Sequence, residues 1–103
     1  MILVNTDFIT GKELETLRLV RGSTIRAKHI GKDLMAGLKT IVGGELTSYS
    51  EMINEARAIA TKRMVEDAET LEADAVVNIR YATSNVAQGA AEVLVYGTAV
   101  KFK

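Results

Sequence analysis

The sequence predicts an α+β fold of two layers, in which an antiparallel β-sheet packs against one long helix, with one short helix in addition. Two observations carry this prediction. Apolar residues recur at helical spacing between residues 48 and 71, and apolar and polar residues alternate in segments nearer both ends. A chain of 103 residues has the usual size of a single domain, so residues 1–103 are expected to form one unit.

The first third of the chain predicts strands. Ile2 to Val4 form a candidate short strand, and residues 10–12 (Thr-Gly-Lys) favour a turn. Beyond the turn, Leu17 and Leu19 alternate with polar residues, and a second alternation follows Gly22. The pattern indicates either two strands or one strand bent at the glycine.

Two helices are predicted next. Residues 32–42 carry apolar side chains at helical spacing, which is typical of a short amphipathic helix. The long helix is predicted from Ser48 to about Leu71, and several of its inner positions are alanines that let a helix lie close on a sheet. Its apolar stripe consists of Tyr49, Met52, Ile53, Ala56, Ile59, Ala60, Met64, Ala68 and Leu71.

The pair Gly43-Gly44 before the long helix has two interpretations. A phosphate-binding loop needs a lysine and a hydroxyl directly after its glycines, whereas here the acidic Glu45 follows. Ser48 and Glu51 match the S-x-x-E capping box, and either glycine can supply the left-handed residue that ends the short helix. We therefore predict a joint between helices, with Ser48 and Glu51 as capping residues.

Two strands complete the predicted sheet. In the first, Val77, Ile79 and Tyr81 are expected on one face, with Asn78, Arg80 and Ala82 on the other. The last strand is apolar on both faces, and the long helix can cover only one of them. The other face needs the short helix or a neighbouring subunit, which predicts an interface at Leu94, Tyr96, Val100 and Phe102, opposite Val93, Val95 and Ala99.

Composition excludes several functions. Thirteen basic residues balance thirteen acidic ones, and five aromatic residues offer few stacking platforms, so nucleic acid is not an expected partner. With no cysteine and one histidine, His29, a tetrahedral zinc site within one subunit is not expected. The sequence has no targeting leader and no apolar run of membrane-spanning length, so we predict a cytoplasmic protein without a membrane partner.

Carboxylates are the remaining candidate ligands. They cluster around the end of the long helix, at Glu66, Asp67, Glu69, Glu72 and Asp74. The simpler interpretation is a solvated acidic end, partly neutralised by Lys62 and Arg63. The functional alternative is a site for a hard divalent cation at Glu69, Glu72 or Asp74. No histidine has a companion nucleophile and no glycine-serine elbow occurs, so no catalytic residue is predicted and no cofactor is identified.

The segments "IVGGELTSYSEMINEAR", "MVEDAETLEADAVVNIRY" and "QGAAEVLVYGTAVK" resemble the YbjQ-like family of small bacterial and archaeal proteins over essentially the whole chain. The resemblance implies a two-layer α+β subunit in a ring of five, and the family's label suggests heavy-metal binding. One departure is Glu72, where relatives commonly carry a glycine that ends the helix.

Three hypotheses follow from the residues and the resemblance. The first is a non-enzymatic, homopentameric ring with a role in binding or assembly. The second is a metal-binding protein whose acidic ligands combine across subunits. The third is an enzyme with a polar site at the subunit boundary, drawing on Asp74, Asn78, Arg80 and Tyr81.

Overall fold

The computed structural model describes residues 1–27 and 44–103. The predicted short helix over residues 32–42, together with His29 and Gly43, lies outside the described residues. The elements in chain order are β1 (Ile2–Leu3), β2 (Leu14–Ala27), α1 (Gly44–Glu69), β3 (Ala75–Ala87) and β4 (Ala90–Phe102). The α+β class and the pairing of a sheet with one long helix are confirmed.

The four strands form one sheet in the order β1-β3-β4-β2. Strand β4 is antiparallel to both β2 and β3, as predicted, but β1 runs parallel to β3. The sheet is therefore mixed and not purely antiparallel. A parallel pair needs a long crossover connection, and here the chain passes through β2 and α1 between β1 and β3.

Strand β2 is one continuous strand and not a pair. Gly22 lies directly beneath α1, where an added Cβ would come within 2.1 Å of the Ala60 carbonyl oxygen and 2.4 Å of the Met64 amide nitrogen. The glycine therefore permits close contact between the backbones of helix and strand. A register shift between Thr16 and Arg18 breaks the predicted alternation, so that Leu17 packs against the core while Leu19 is 60% exposed.

Helix α1 begins at Gly44, four residues before the predicted start. Ser48 and Glu51 are therefore interior helical positions, and the predicted capping box at the helix start is wrong. Gly44 belongs to the helix. Residues 45–47 include no proline and no glycine that would interrupt a helix.

Helix α1 ends in a Schellman motif without a glycine. The Ala73 amide donates to the Ala68 carbonyl (3.3 Å), and the Glu72 amide donates to the Glu69 carbonyl (3.0 Å). Glu72 adopts the left-handed conformation, with φ of 55°, at the position where a glycine would be unstrained. The helix therefore stops where the sequence predicts, at the cost of local backbone strain.

A bulge in β3 changes which residues share a face. The register moves from Val77 opposite Thr98 to Arg80 opposite Tyr96, and Asn78 has φ of 55°. Val77 consequently packs on the side away from α1, whereas Ile79 belongs to the core beneath α1. The prediction that Val77, Ile79 and Tyr81 share one face is wrong for Val77, because the extra residue shifts the alternation.

The main core lies between α1 and the sheet. Three inner alanines of the helix, at 56, 60 and 68, are fully buried, as the sequence predicts. The cluster comprises Val20, Ala56, Ala60, Met64, Ala68, Val76, Ile79, Val93, Val95 and Ala99. These residues fix α1 over β2 and β4, and the helix makes far less contact with β3.

Among the described residues, the far face, meaning the face of the sheet that points away from α1, is covered at one end only. Val100 is 2% exposed there and packs with Ala75 and Val77, against which Val4 and Ile9 of the N-terminal segment also pack. Val100 is thus buried inside its own chain, and Phe102 packs partly buried against the same cluster. The predicted interface set is therefore corrected at two residues. Val100 is fully covered within its own chain, and Phe102 is covered in part.

The chain is extended. Its radius of gyration is 17.1 Å, and its principal extents are 56 × 23 × 16 Å. A compact chain of this length has a radius of gyration of about 13 Å. The accessible surface of 6640 Å² also exceeds the value of about 5700 Å² that is usual for a monomer of 11.2 kDa.

Candidate functional site

The uncovered part of the far face carries an apolar patch. Leu19 and Ile25 of β2 are each 60% exposed, and Tyr96 of β4 is 38% exposed. Leu94 lies half-buried beside Tyr96 and opposite Ala82 of β3. We call Leu19, Ile25, Ala82, Leu94 and Tyr96 the far-face patch. Two of these residues, Leu94 and Tyr96, belong to the predicted interface set.

Two arginines flank the far-face patch. The strand register places Arg21 and Arg80 on either side of Tyr96. The Arg80 guanidinium donates to the carbonyls of Asn5 and Ile79, each at 3.1 Å, which holds it at the border of the N-terminal segment. The patch is therefore apolar, with these two arginines beside Tyr96 and the acidic Glu92 of β4 opposite Ile25 at its other end.

The outer edge of β2 is bonded by side chains. The Arg18 guanidinium donates to the Leu19 carbonyl (3.0 Å), and Arg63 of α1 donates to the Ser23 carbonyl (2.7 Å). The Asp67 carboxylate accepts from the Arg21 amide at 3.4 Å. We call this stretch, residues 19–23 of β2, the occupied edge, because each of its three outward-facing residues has a side-chain partner.

Asp67 is the centre of the occupied edge. Its carboxylate also forms an ion pair with Arg18, whose Nη2 lies 3.1 Å from Oδ1. The hydrogen bond from Arg18 lowers the pKa of Asp67, partial burial opposes that effect, and the Arg21 amide adds to the lowering. Asp67 is therefore fully ionised at neutral pH, and it links the end of α1 to the strand.

The outer edge of β3 has two different halves. The N-terminal segment bonds its first half: the Val4 amide donates to the Val76 carbonyl (3.1 Å), and the Asn78 amide donates to the Thr6 carbonyl (2.8 Å). From residue 81 to 87, no backbone hydrogen bond joins this outer edge to any described residue. We call residues 81–87 the open edge.

The strand register shows which groups of the open edge face outward. In an antiparallel ladder, alternate residues direct both backbone groups toward one neighbour and the remaining residues direct them away. The backbone groups of Arg21 point outward from β2, so those of the next residue, Gly22, bond to Val95 of β4. The backbone groups of Val95 therefore point away from β3. Tyr81 lies opposite Val95, so Tyr81, Thr83 and Asn85 direct their amides and carbonyls outward.

The structure does not bring together the polar residues considered for an enzyme. Arg80 points to the far face, whereas the Tyr81 hydroxyl lies 2.9 Å from the Thr61 hydroxyl of α1 on the other face. The Asp74 carboxylate accepts from the Phe102 amide at 2.7 Å. Adjacent residues of a strand point to opposite faces, so one subunit cannot combine Arg80 and Tyr81 in one site.

The carboxylates considered for a cation remain a prediction. Glu69 ends α1, Glu72 occupies the left-handed position after it, and Asp74 bonds to β4. Within residues 1–27 and 44–103, no three acidic or histidine side chains gather into a metal site. A site that combines carboxylates of two subunits is a separate arrangement that a single chain cannot test.

Sequence reasoning missed both edges. A signal was present in composition: residues 81–87 read Tyr-Ala-Thr-Ser-Asn-Val-Ala without a charge, while residues 13–21 of the β2 region carry four charged side chains. Charged residues are typical of strand edges that do not pair. The sequence does not show the order of the strands, and only that order identifies these two segments as outer edges of the sheet.

These features define a small α+β protein whose sheet is covered only in part by the described residues. The chain belongs to the YbjQ family, because the family model described as "Putative heavy-metal-binding" matches residues 1–103. A UPF0145 protein of Clostridium novyi is 73% identical over 101 residues and covers 98% of each chain. A UPF0145 protein of Alkaliphilus metalliredigens is 70% identical over 102 residues and covers 99% of each chain.

A solved structure shares the fold. It is a protein of unknown function of the DUF74 family from Pediococcus pentosaceus, with a TM-score of 0.66 over 100% of this chain and 98% of the other. At 14% identity, the likeness concerns the fold alone. Among the residues that the structure describes here, no helix has the length and apolar character needed to cross a membrane.

Proposed function

We propose that this chain is a non-enzymatic subunit that joins copies of itself head to tail in a closed ring of five, and that the ring serves binding or assembly. The far-face patch carries the proposal. A contiguous apolar surface with a polar rim is typical of a protein interface, whereas single exposed apolar residues are common on any surface. The number five comes from the resemblance to the YbjQ family.

The extended shape supports assembly. Identical subunits can recover the burial that a single subunit lacks, because each covers the far face of its neighbour. Aggregation without limit is avoided when the rotation between neighbours closes on itself. A ring therefore reconciles an exposed patch with a defined assembly.

The charges support a head-to-tail contact over a twofold one. A twofold contact centred on Tyr96 would place Arg21 and Arg80 of one subunit against the same arginines of the other. Like charges that face each other oppose association. A head-to-tail contact can instead place these two arginines against the acidic end of α1, where Glu66, Glu69 and Glu72 lie.

Charge substitutions in the far-face patch test the proposal. Leu94→Asp and Tyr96→Asp each place an unpaired charge in the proposed contact, so we expect sedimentation to show subunits or unfolded protein in place of the ring. Ser50→Asp is the matched control, because it adds the same charge on the exposed side of α1. Wild-type mass in both patch variants, together with intact circular dichroism, would contradict the proposal.

A second candidate function is suggested by the family description: binding of a divalent cation by carboxylates of two subunits. Glu69 and Glu72 are the nearest candidates on one chain, with oxygen ligands that suit hard cations. Titration calorimetry with Mn²⁺ on the assembled protein is the test. Heat of binding that is lost in Glu69→Gln and kept in the more remote Glu51→Gln would support it, and absence of heat in the wild type would contradict it.

A further inference from the structure

We propose that a cleft between α1 and the end of the β3-β4 hairpin binds an uncharged planar heterocycle that carries a hydrogen-bond donor next to an acceptor. Free adenine and adenosine belong to this class. The cleft has a volume of 390 Å³ and is lined by Tyr49, Asn85, Val86, Ala87, Gln88 and Gly89. All six residues belong to one chain, so the inference goes beyond the proposed function and does not depend on the ring.

A bulge and a turn build one wall of the cleft. Successive residues of a regular strand point to opposite faces, so five consecutive residues would not line the same cleft. The register shifts between Asn85 and Ala87, which makes Val86 the extra residue of a bulge. The chain then turns at Gly89, whose φ of 74° is unstrained for glycine. Residues 85–89 are thereby brought to one site.

Tyr49 forms the opposite wall. Its hydroxyl donates to Oδ1 of Asn85 at 3.1 Å. Helix α1 makes far less contact with β3 than with β2 and β4, so this bond connects the helix to a part of the hairpin that its core contacts do not reach. The Tyr49 side chain is only half-buried, and an aromatic ring is a favourable platform for stacking a planar heterocycle. We expect the ligand to stack on this ring.

Two carboxamides supply the hydrogen bonds. Asn85 and Gln88 each present an amide donor and a carbonyl acceptor side by side. No described residue accepts a hydrogen bond from either side-chain amide group, and the oxygen of Asn85 keeps one lone pair beyond its bond to Tyr49. Such a side chain pairs with adenine through two hydrogen bonds at once. The lining therefore suits a ligand that offers the same two groups in reverse.

The absence of charge narrows the ligand class. None of the six lining residues is ionisable at neutral pH, so a phosphate group would find no cation in the cleft and a hard metal ion no carboxylate. The volume lies near the lower end of the range of about 300–1,000 Å³ for small-molecule sites. Balanced charge and few aromatic residues do not favour a nucleic-acid strand. A free base or a nucleoside fits these limits.

Titration calorimetry with adenosine on the wild-type protein is the first test. We expect saturable binding of one adenosine per chain. N6,N6-dimethyladenosine keeps the planar ring and loses the donor, so it should bind about tenfold or more weakly. Adenosine monophosphate should bind no more tightly than adenosine. Absence of saturable binding, equal affinity for adenosine and its dimethyl derivative, or a clear preference for the phosphate would each overturn the inference.

Carboxamide variants test the location. Asn85→Asp and Gln88→Glu keep the shape of the side chain but replace the amide donor by an acceptor, so each should weaken adenosine binding about tenfold or more. Asn54→Asp is the matched control, because it makes the same change on an exposed part of α1 outside the cleft. Circular dichroism verifies that each variant is folded. Unchanged affinity in both cleft variants would overturn the inference.

Variants of Tyr49 separate stacking from hydrogen bonding. Tyr49→Phe removes the bond to Asn85 and keeps the ring, so we expect adenosine to be retained within a few-fold. Tyr49→Leu keeps apolar bulk without a ring and should lose about tenfold or more. In the wild type, the amide NMR signals of residues 85–89 should shift with adenosine. Shifts confined to other residues, or equal affinity in the two Tyr49 variants, would overturn the inference.

Discussion

The two outer edges of the sheet differ in their relation to α1. The helix lies over β2 and β4, and from there its side chains at 63 and 67 reach the backbone of β2. It makes little contact with β3, so the open edge receives no comparable side chain among the described residues. A single helix is narrower than a sheet of four strands, and its lateral position therefore decides which edge its side chains bond.

A glycine sets that lateral position. Gly22 lets the backbone of α1 approach β2 so closely that no side chain would fit between them. The approach brings Asp67 within reach of the Arg21 amide. The difference between the two edges thus starts from one residue without a side chain in the middle of β2.

The largest effect is expected for Gly22→Ala. The added Cβ would meet helix backbone at 2.1 Å, so α1 must move away from β2, at a cost of about 3 kcal/mol or more in the free energy of unfolding. The displaced helix would also withdraw Arg63 and Asp67 from the occupied edge. Urea denaturation measures the loss, and light scattering should detect aggregation through β2.

Gly11→Ala is the control for this variant. Gly11 has no atom near the position of an added Cβ, and its φ of 75° limits the expected cost to about 1–2 kcal/mol. Equal losses in the two variants would contradict the claim that close contact at Gly22 positions the helix.

An intermediate effect is expected for Asp67→Asn, which removes the ion pair with Arg18. Partly exposed ion pairs contribute at most about 1 kcal/mol, so we expect a loss of this size at pH 7. Because the pKa of Asp67 is lower in the folded protein than in the unfolded chain, its stabilisation is present above the unfolded pKa and is lost as the pH falls through the folded pKa. Urea denaturation at neutral and at strongly acid pH should show the difference between wild type and variant shrinking in acid.

A pH-independent difference would show that Asp67 acts through packing alone. Glu66→Asn serves as the control, because it removes the neighbouring carboxylate on the same turn of α1 and leaves the contacts of the occupied edge unchanged.

The smallest effect is expected for Glu72→Gly, which changes neither edge. Glycine relieves the left-handed strain at φ 55° but adds freedom to the unfolded chain, so the net gain should be roughly 0.5–1 kcal/mol. Thermal unfolding measures the gain, and the mass of the assembly should not change. Destabilisation would indicate that the Glu72 side chain makes a contact across the subunit boundary.

The sequence was sufficient for elements whose signal is local. Helical spacing located α1, and its buried alanines lie where the stripe predicts. It failed where one residue changes the alternation, at Asn78 and between Thr16 and Arg18, because a bulge has no periodic signature of its own. It also placed the start of α1 too late, since a good capping pattern does not prevent a helix from beginning earlier.

The parts of the site that could not be predicted depend on distant contacts. Val4 and Ile9 cover Val100, although nothing in their local sequence identifies this far partner. The two edges depend on the order of the strands, which places β2 and β3 on opposite sides of β4. The common face of Leu94 and Tyr96 followed from local alternation because their strand is regular over that stretch.

The central claim is that the wild-type chain assembles through surfaces that a single subunit leaves uncovered. Light scattering of the purified protein over a range of micromolar concentrations measures its mass directly. Five subunits of 11.2 kDa predict a constant mass of about 56 kDa. A mass near 11.2 kDa throughout the range would show that the far-face patch remains exposed in solution, and it would contradict the account.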